Sequence, residues 1–216
     1  MRPVSIDYTL YLVTDRDLSR GRSTLDIVEA AVRGGVSCVQ LREKTVSARE
    51  FIQEARSIQA FLKACRIPLI INDRLDVALA VGADGVHLGQ KDMPLAMARA
   101  IVKDTLVIGI SVESTADAVT AERDGADYLG VSPIFDTPTK TDTAPALGVK
   151  GLQRIRQAVS LPLVAIGGLN HHNAAAVIQN GADGVAVVSA IAAADDPRQA
   201  AADLRKTIRR AREMHP

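Results

Sequence analysis

Between positions 40 and 44 the chain reads Gln40-Leu41-Arg42-Glu43-Lys44. Side chains alternate along an extended segment, so Gln40, Arg42 and Lys44 face one way. A planar guanidinium fork beside a point-charge ammonium suits a phosphate or diphosphate. A solvated cluster of strand-end charges is the plainer alternative. Two carboxylates also follow apolar runs: Asp73 in Asn72-Asp73-Arg74, and Asp92 in His87-Leu88-Gly89-Gln90-Lys91-Asp92, ahead of Met93-Pro94. Each has the form of a helix N-cap. Meeting at neighbouring strand ends, they could instead share a Mg2+. Such an ion takes one or two carboxylates and completes its shell with phosphate oxygens and water.

Further along, Ser111 closes an apolar run, where a cap or turn hydroxyl is the ordinary reading. Thr137-Pro138-Thr139-Lys140 offers two hydroxyls and a cation inside the segment 132–148, which has no clear periodicity and carries three prolines. Long irregular segments in compact domains tend to be functional loops. Ile166-Gly167-Gly168 and Val188-Ser189-Ala190 end two later apolar runs. Paired loops of this kind bind phosphate through backbone N–H groups, while a tight turn explains the glycines equally well. The histidines carry less. His87 alternates with apolar neighbours as a buried strand residue does, His171-His172 opens a helix, and His215 is terminal. No zinc spacing, Walker loop or Gly-x-Ser-x-Gly elbow occurs.

These residues need a scaffold that gathers strand ends. Eight short runs serve: 10–14, 38–42, 69–72, 85–88, 106–111, 128–131, 163–166 and 184–188. Several are apolar throughout, as expected of parallel strands covered on both faces. Helical patterns lie between them, such as Ala48, Phe51, Ile52, Ala55, Ile58 and Leu62 behind the capping-box sequence Ser47-Ala48-Arg49-Glu50. A fourfold repeat accompanies them. Gly34-Gly35-Val36, Gly82-Ala83-Asp84-Gly85, Gly125-Ala126-Asp127 and Gly181-Ala182-Asp183-Gly184 each precede a strand. The glycines suit left-handed helix ends. The expected fold is α/β, a single (β/α)8 barrel over 1–216, with its site at the C-terminal strand ends. An open doubly wound sheet is the alternative, disfavoured because Thr14-Asp15-Arg16-Asp17 is no glycine-rich first turn.

Composition narrows the function. The 216 residues carry 26 Lys and Arg against 25 Asp and Glu, a net charge of +1, so a generally polyanion-coating or membrane-coating surface is not expected. Three Phe, three Tyr and no Trp disfavour sites built on aromatic stacking. Cys38 and Cys65 form no metal or disulfide pattern. With no leader pattern and no apolar run long enough to span a bilayer, a cytoplasmic location is expected.

The ordered set of strand-end motifs resembles the thiamine-phosphate synthase family, also called thiamine-phosphate pyrophosphorylase. The resemblance runs from Leu10-Tyr11-Leu12-Val13-Thr14-Asp15 through Gln40 to Lys44, Ile71-Asn72-Asp73-Arg74, Gly85-Val86-His87-Leu88-Gly89-Gln90 with Asp92, Ser132-Pro133-Ile134-Phe135, Thr137 to Lys140, Ala165-Ile166-Gly167-Gly168 and Val187-Val188-Ser189-Ala190-Ile191. It implies a (β/α)8 barrel that joins 4-amino-2-methyl-5-hydroxymethylpyrimidine diphosphate to a hydroxyethylthiazole phosphate, in practice the carboxylated form. Thiamine phosphate and pyrophosphate result, with Mg2+ required. By the same resemblance, Gln40, Arg42, Lys44 and Asn72 hold the pyrimidine diphosphate, and Asp73 and Asp92 bind Mg2+. Ser111 contacts the pyrimidine, and Lys140 the diphosphate. Thr137 and Thr139 face the thiazole carboxylate, while Gly168, Val188 and Ser189 bind the thiazole phosphate. Arg42, Lys44, Ser111 and Lys140 form the expected catalytic set. The partners implied are these small molecules, with no nucleic acid and no membrane; a homo-oligomer is left open.

Two other readings compete. A thiazole tautomerase shares the barrel, but its pattern commonly has a His where this chain has Glu113 and tends to lose the carboxylate of Asp92. A non-catalytic phosphate-ligand sensor would keep the barrel without the chemistry. One departure from the synthase pattern also stands out: Val112-Glu113 replaces a usual Thr-His pair after Ser111.

Overall fold

The computed structural model describes residues 6–136 and 145–214. Eight parallel strands close into a barrel in chain order: β1 (Leu10–Val13), β2 (Cys38–Leu41), β3 (Leu69–Asn72), β4 (Gly85–Leu88), β5 (Val107–Val112), β6 (Tyr128–Val131), β7 (Leu163–Ala165) and β8 (Gly184–Val187). Around it run α1 (Thr24–Arg33), α2 (Ala48–Cys65), α3 (Leu75–Val81), α4 (Leu95–Val102), α5 (Thr115–Arg123), α6 (Gly148–Ala158) and α7 (Ala174–Ile178). A short α8 (Ser189–Ala192) follows β8, and α9 (Pro197–Glu213) ends the chain. The expected (β/α)8 barrel is the fold, and the open-sheet alternative falls with the β1–β8 pairing.

The expected strands differ from the observed ones only at their ends. Thr14, Arg42, Ile166 and Val188 lie just past β1, β2, β7 and β8, and β5 starts and stops one residue late. Two of these end residues still touch the ladder: the Thr14 N–H donates to the Gln40 carbonyl at 2.9 Å and the Ile166 N–H to the Val131 carbonyl at 3.0 Å. Residues at strand ends thus sit where backbone pairing stops and side chains turn into the mouth.

The fourfold repeat has a structural cause beyond helix ends. Asp84, Asp127 and Asp183 each precede an even-numbered strand and accept a backbone N–H at the start of the strand before it. The donors are Leu69 at 2.8 Å, Ile108 at 2.7 Å and Leu163 at 2.8 Å. Ser37 does the same for Leu10 at 3.0 Å. Each side chain clasps a strand pair at the N-terminal rim, where the ladder has no further backbone acceptor. Gly82, Gly125 and Gly181 do adopt positive φ, but in the first unit Gly35 does so and Gly34 does not. Gly34 is small for another reason: a Cβ there would stand 2.3 Å from the Arg198 carbonyl of α9.

Two apolar layers result. The larger lies between strands and helices; the smaller fills the barrel with Tyr8, Tyr11, Val13, Cys38, Ile70, Val107, Tyr128, Val164 and Ala186. Glycines make room for the large rings. A Cβ on Gly109 would lie 2.1 Å from the Tyr128 ring, and one on Gly130 would lie 2.9 Å from the His87 ring. Ser47 forms the expected capping box with Glu50 on α2, and Asp196 caps α9 ahead of Pro197.

Candidate active site

At the C-terminal ends of the strands opens a cavity of about 670 Å3. Ten of the site residues expected from sequence line it: Gln40, Arg42, Lys44, Asn72, Asp73, Asp92, Ser111, Gly168, Val188 and Ser189. Thr137, Thr139 and Lys140 lie outside the described residues.

The floor is a chain of hydrogen bonds across the barrel interior. Gln40 Nε2 donates to the Tyr11 hydroxyl at 3.0 Å, and the Tyr11 and Tyr128 hydroxyls hydrogen-bond to each other at 3.0 Å. The Tyr128 hydroxyl meets His87 Nδ1 at 2.9 Å, and His87 Nε2 meets Ser111 Oγ at 2.9 Å. Burial pushes both phenols well above their usual range, so the tyrosines stay protonated and serve as neutral struts. Ser111 is held again through its carbonyl, which accepts from Gln90 Nε2 at 2.6 Å. His87 is therefore buried, as its alternation implies, but it faces the barrel axis and touches a candidate site residue. Sequence reasoning set it aside. The register that sets His87 beside Asn72 on adjacent strands is visible only in the structure.

Asp73 and Asp92 are not helix N-caps. Arg74 and Pro94 occupy those positions, neither with a side-chain cap bond. Asp73 instead has a left-handed backbone, φ 61°. Its N–H donates to the His87 carbonyl at 2.8 Å, and the next N–H, of Arg74, turns back to the Asn72 carbonyl at 2.7 Å. This tight turn ends β3 and aims the Asp73 carboxylate along the rim, where Lys44 Nζ donates to it. Asp92 accepts the Gly89 N–H at 2.7 Å, which closes the turn after β4. Its carboxyl is pushed up, first by burial and then by the adjacent Asp73 carboxylate. The two acids thus face each other at neighbouring strand ends. Beside them Asn72 Nδ2 is buried with no hydrogen-bond partner among the described residues.

The other cation is also held by an acid: Arg42 Nη1 donates to Asp15 Oδ2 at 2.8 Å. Across the lining, Arg42, Lys44 and Lys91 face Asp15, Asp73, Asp92, Glu113 and Asp136. Three cations against five carboxylates leave the described lining two charges negative. Of these, Asp15, Glu113 and Asp136 were not among the site residues expected from sequence, and the expected Lys140 lies outside the described residues. Such a mouth favours a divalent cation. Among the described residues no group of three or more His, Cys, Asp or Glu could hold a metal. Asp73 and Asp92 supply two carboxylates, the number a Mg2+ ion takes when phosphate oxygens and water complete its shell.

On the opposite rim Gly167 and Gly168 have φ of 102° and 64°. A Cβ on Gly168 would lie 2.6 Å from the Asp136 carbonyl, and one on Gly167 would lie 2.8 Å from Pro133. Both glycines are thus required by the loop packed on them. That loop is pinned to the strand end by Ile134 N–H to the Ile166 carbonyl at 3.0 Å and Phe135 N–H to the Gly167 carbonyl at 3.1 Å. Val188 and Ser189 follow β8, where the short α8 begins.

Fold and site together define a (β/α)8-barrel enzyme with a polar, acidic mouth at the strand C-termini. A family model described as thiamine monophosphate synthase matches residues 10–191. A thiamine-phosphate synthase of Chloroflexus aurantiacus is 54% identical over 203 residues, covering 94% of this chain and 94% of its own. One from Syntrophomonas wolfei is 52% identical over 203 residues, covering 94% of this chain and 97% of its own. The solved thiamine phosphate pyrophosphorylase from Pyrococcus furiosus superposes with a TM-score of 0.89 at 40% identity, covering 95% of this chain and 97% of its own. The chain belongs to the thiamine monophosphate synthase family, and so is an enzyme of the transferase class.

Proposed function

We propose that this enzyme joins the aminopyrimidine diphosphate to the thiazole phosphate, releasing pyrophosphate and forming thiamine phosphate. The observation that carries the reading is the meeting of Arg42, Lys44, Asn72, Asp73 and Asp92 on one rim of the cavity. Two cations, an unpartnered amide donor and a facing pair of carboxylates are what a metal-bound diphosphate requires.

In the proposed reaction the carbon–oxygen bond between the pyrimidine methylene and the diphosphate breaks first. The bonding pair leaves with the diphosphate oxygen. The thiazole nitrogen then donates its lone pair to the methylene carbon; the carboxylated thiazolium loses CO2, and the electron pair left on its ring carbon takes up a proton from water. Arg42, Lys44, the Asn72 amide and, outside the described residues, Lys140 meet the charge that grows on the leaving group, where preorganised electrostatics are most effective. Mg2+ on Asp73 and Asp92 would supply further neutralisation of that charge. Ser111, fixed by His87 and Gln90, and Gln40, fixed by Tyr11, hold the pyrimidine. Gly168, Val188 and Ser189 bind the thiazole phosphate, and Thr137 and Thr139 its carboxylate. No general base is needed, since the thiazole nitrogen attacks with its own lone pair.

Lys44→Ala or Asp92→Ala should lower turnover about 10^2–10^3-fold with melting temperature little changed. Wild-type rates in both would overturn the assignment.

A further inference from the structure

We propose that Asp15, in the loop after β1, is a positioning residue that fixes the Arg42 guanidinium at the cavity wall and turns its remaining N–H groups toward the substrate anion. This deepens the reading of Arg42 as an anion-binding group and rests on it.

Three successive residues of the β1 loop grip the end of β2. Thr14 Oγ1 accepts the Arg42 backbone N–H at 3.0 Å. Asp15 Oδ2 accepts Arg42 Nη1 at 2.8 Å. Arg16 reaches past them, donating from Nε to Glu43 at 3.3 Å and from Nη2 to Glu54 of α2 at 2.8 Å. Arg42 is therefore held by both backbone and side chain, whereas its neighbour Glu43 is held away from the cavity.

The Asp15 carboxylate is itself immobilised. Its second oxygen accepts the N–H groups of Asp17 at 3.1 Å and Leu18 at 3.2 Å, which closes a local turn. The side chain is 11% exposed and that of Arg42 is 29% exposed, so this ion pair is far less hydrated than one on the open surface. A guanidinium carries five N–H donors in a rigid plane. Fixing one edge on a carboxylate sets the direction of the rest and removes the rotamer freedom that anion binding would otherwise have to quench. Without Asp15, Arg42 could swing to another carboxylate of the mouth.

Asp15→Asn separates this role from a merely structural one. Asn keeps an oxygen for the turn N–H groups but presents an NH2 to Arg42, so the turn survives and the orientation is lost. The readout is calorimetric binding of inorganic pyrophosphate in the presence of Mg2+, with melting temperature beside it. D15N should weaken pyrophosphate ~10-fold at near-wild-type melting temperature. In an Arg42→Ala background the same change should cost nothing more. Wild-type binding by D15N, or an undiminished loss in the R42A background, overturns the proposal. If R42A alone binds pyrophosphate normally, the reading of Arg42 fails instead. Should D15N melt early, Asp15→Glu decides: restored binding supports positioning, and none refutes it.

Discussion

Lys44 is proposed to bind diphosphate, yet its ammonium sits on Asp73, the carboxylate proposed to take the metal. The two occupants compete for one oxygen. Lys44→Ala should therefore tighten Mn2+ binding a few-fold when no pyrophosphate is present, a modest figure because the lysine is half exposed and screened. Lys91→Ala, which removes another cation from the same lining, is the control and should change affinity less. Electron paramagnetic resonance of free Mn2+ reads both, and unchanged or weaker binding in K44A would count against competition. Glu43 gives a pH-dependent counterpart. Burial raises its carboxyl above the ordinary glutamate range despite the opposing Arg16 hydrogen bond, and Glu54 adds to the rise. A raised acid holds its proton more tightly when folded. Relative to Glu43→Gln, the wild type should gain stability as pH falls from neutral through the folded value, with the gain complete below the unfolded value. Urea unfolding of both proteins near neutral pH and again near 4.5 measures it. A difference that is flat or opposite in sign would contradict the account.

At the scale of elements, the aspartates of the fourfold repeat are strand clasps. Asp84→Ala leaves the Leu69 N–H without its 2.8 Å acceptor and should cost roughly 1–3 kcal/mol in a urea melt. Gly109→Ala tests the barrel interior. Its Cβ would meet the Tyr128 ring, which cannot retreat from a packed core, so a loss of about 1–3 kcal/mol or more is expected. A wild-type melt in either variant would contradict the packing described. Much of this level was legible in the sequence. β3, β4 and β6 begin and end where their apolar runs do, and the Ser47 capping box needed only local spacing. The clasps were not legible, because each joins an aspartate to a backbone N–H 15–20 residues away, and composition carries no trace of that bond. The left-handed turn at Asp73 was hidden for a similar reason. Asp after an apolar run reads as a cap, and only the tertiary bond to the His87 carbonyl turns it otherwise.

For the whole molecule, a net charge of +1 conceals a cavity whose described lining is two charges negative. Sequence reasoning gathered the strand-end residues, because the barrel's alternation of strand and helix fixes which ends share a mouth. It missed Asp15, Glu113 and Asp136, which reach the mouth from loops that have no period to follow. Among the described residues that balance gives a diphosphate two cations, Arg42 and Lys44, each already paired with a carboxylate, so a cation arriving with the diphosphate would relieve the repulsion from the rest of the lining. The most direct measurement incubates the enzyme with both heterocyclic substrates and Mg2+ and quantifies thiamine phosphate and pyrophosphate, with a parallel sample in EDTA. The account predicts the two products in equal amounts and none under EDTA. Conversion of the thiazole phosphate alone in EDTA, or tight binding of thiamine phosphate with neither product formed, would contradict it.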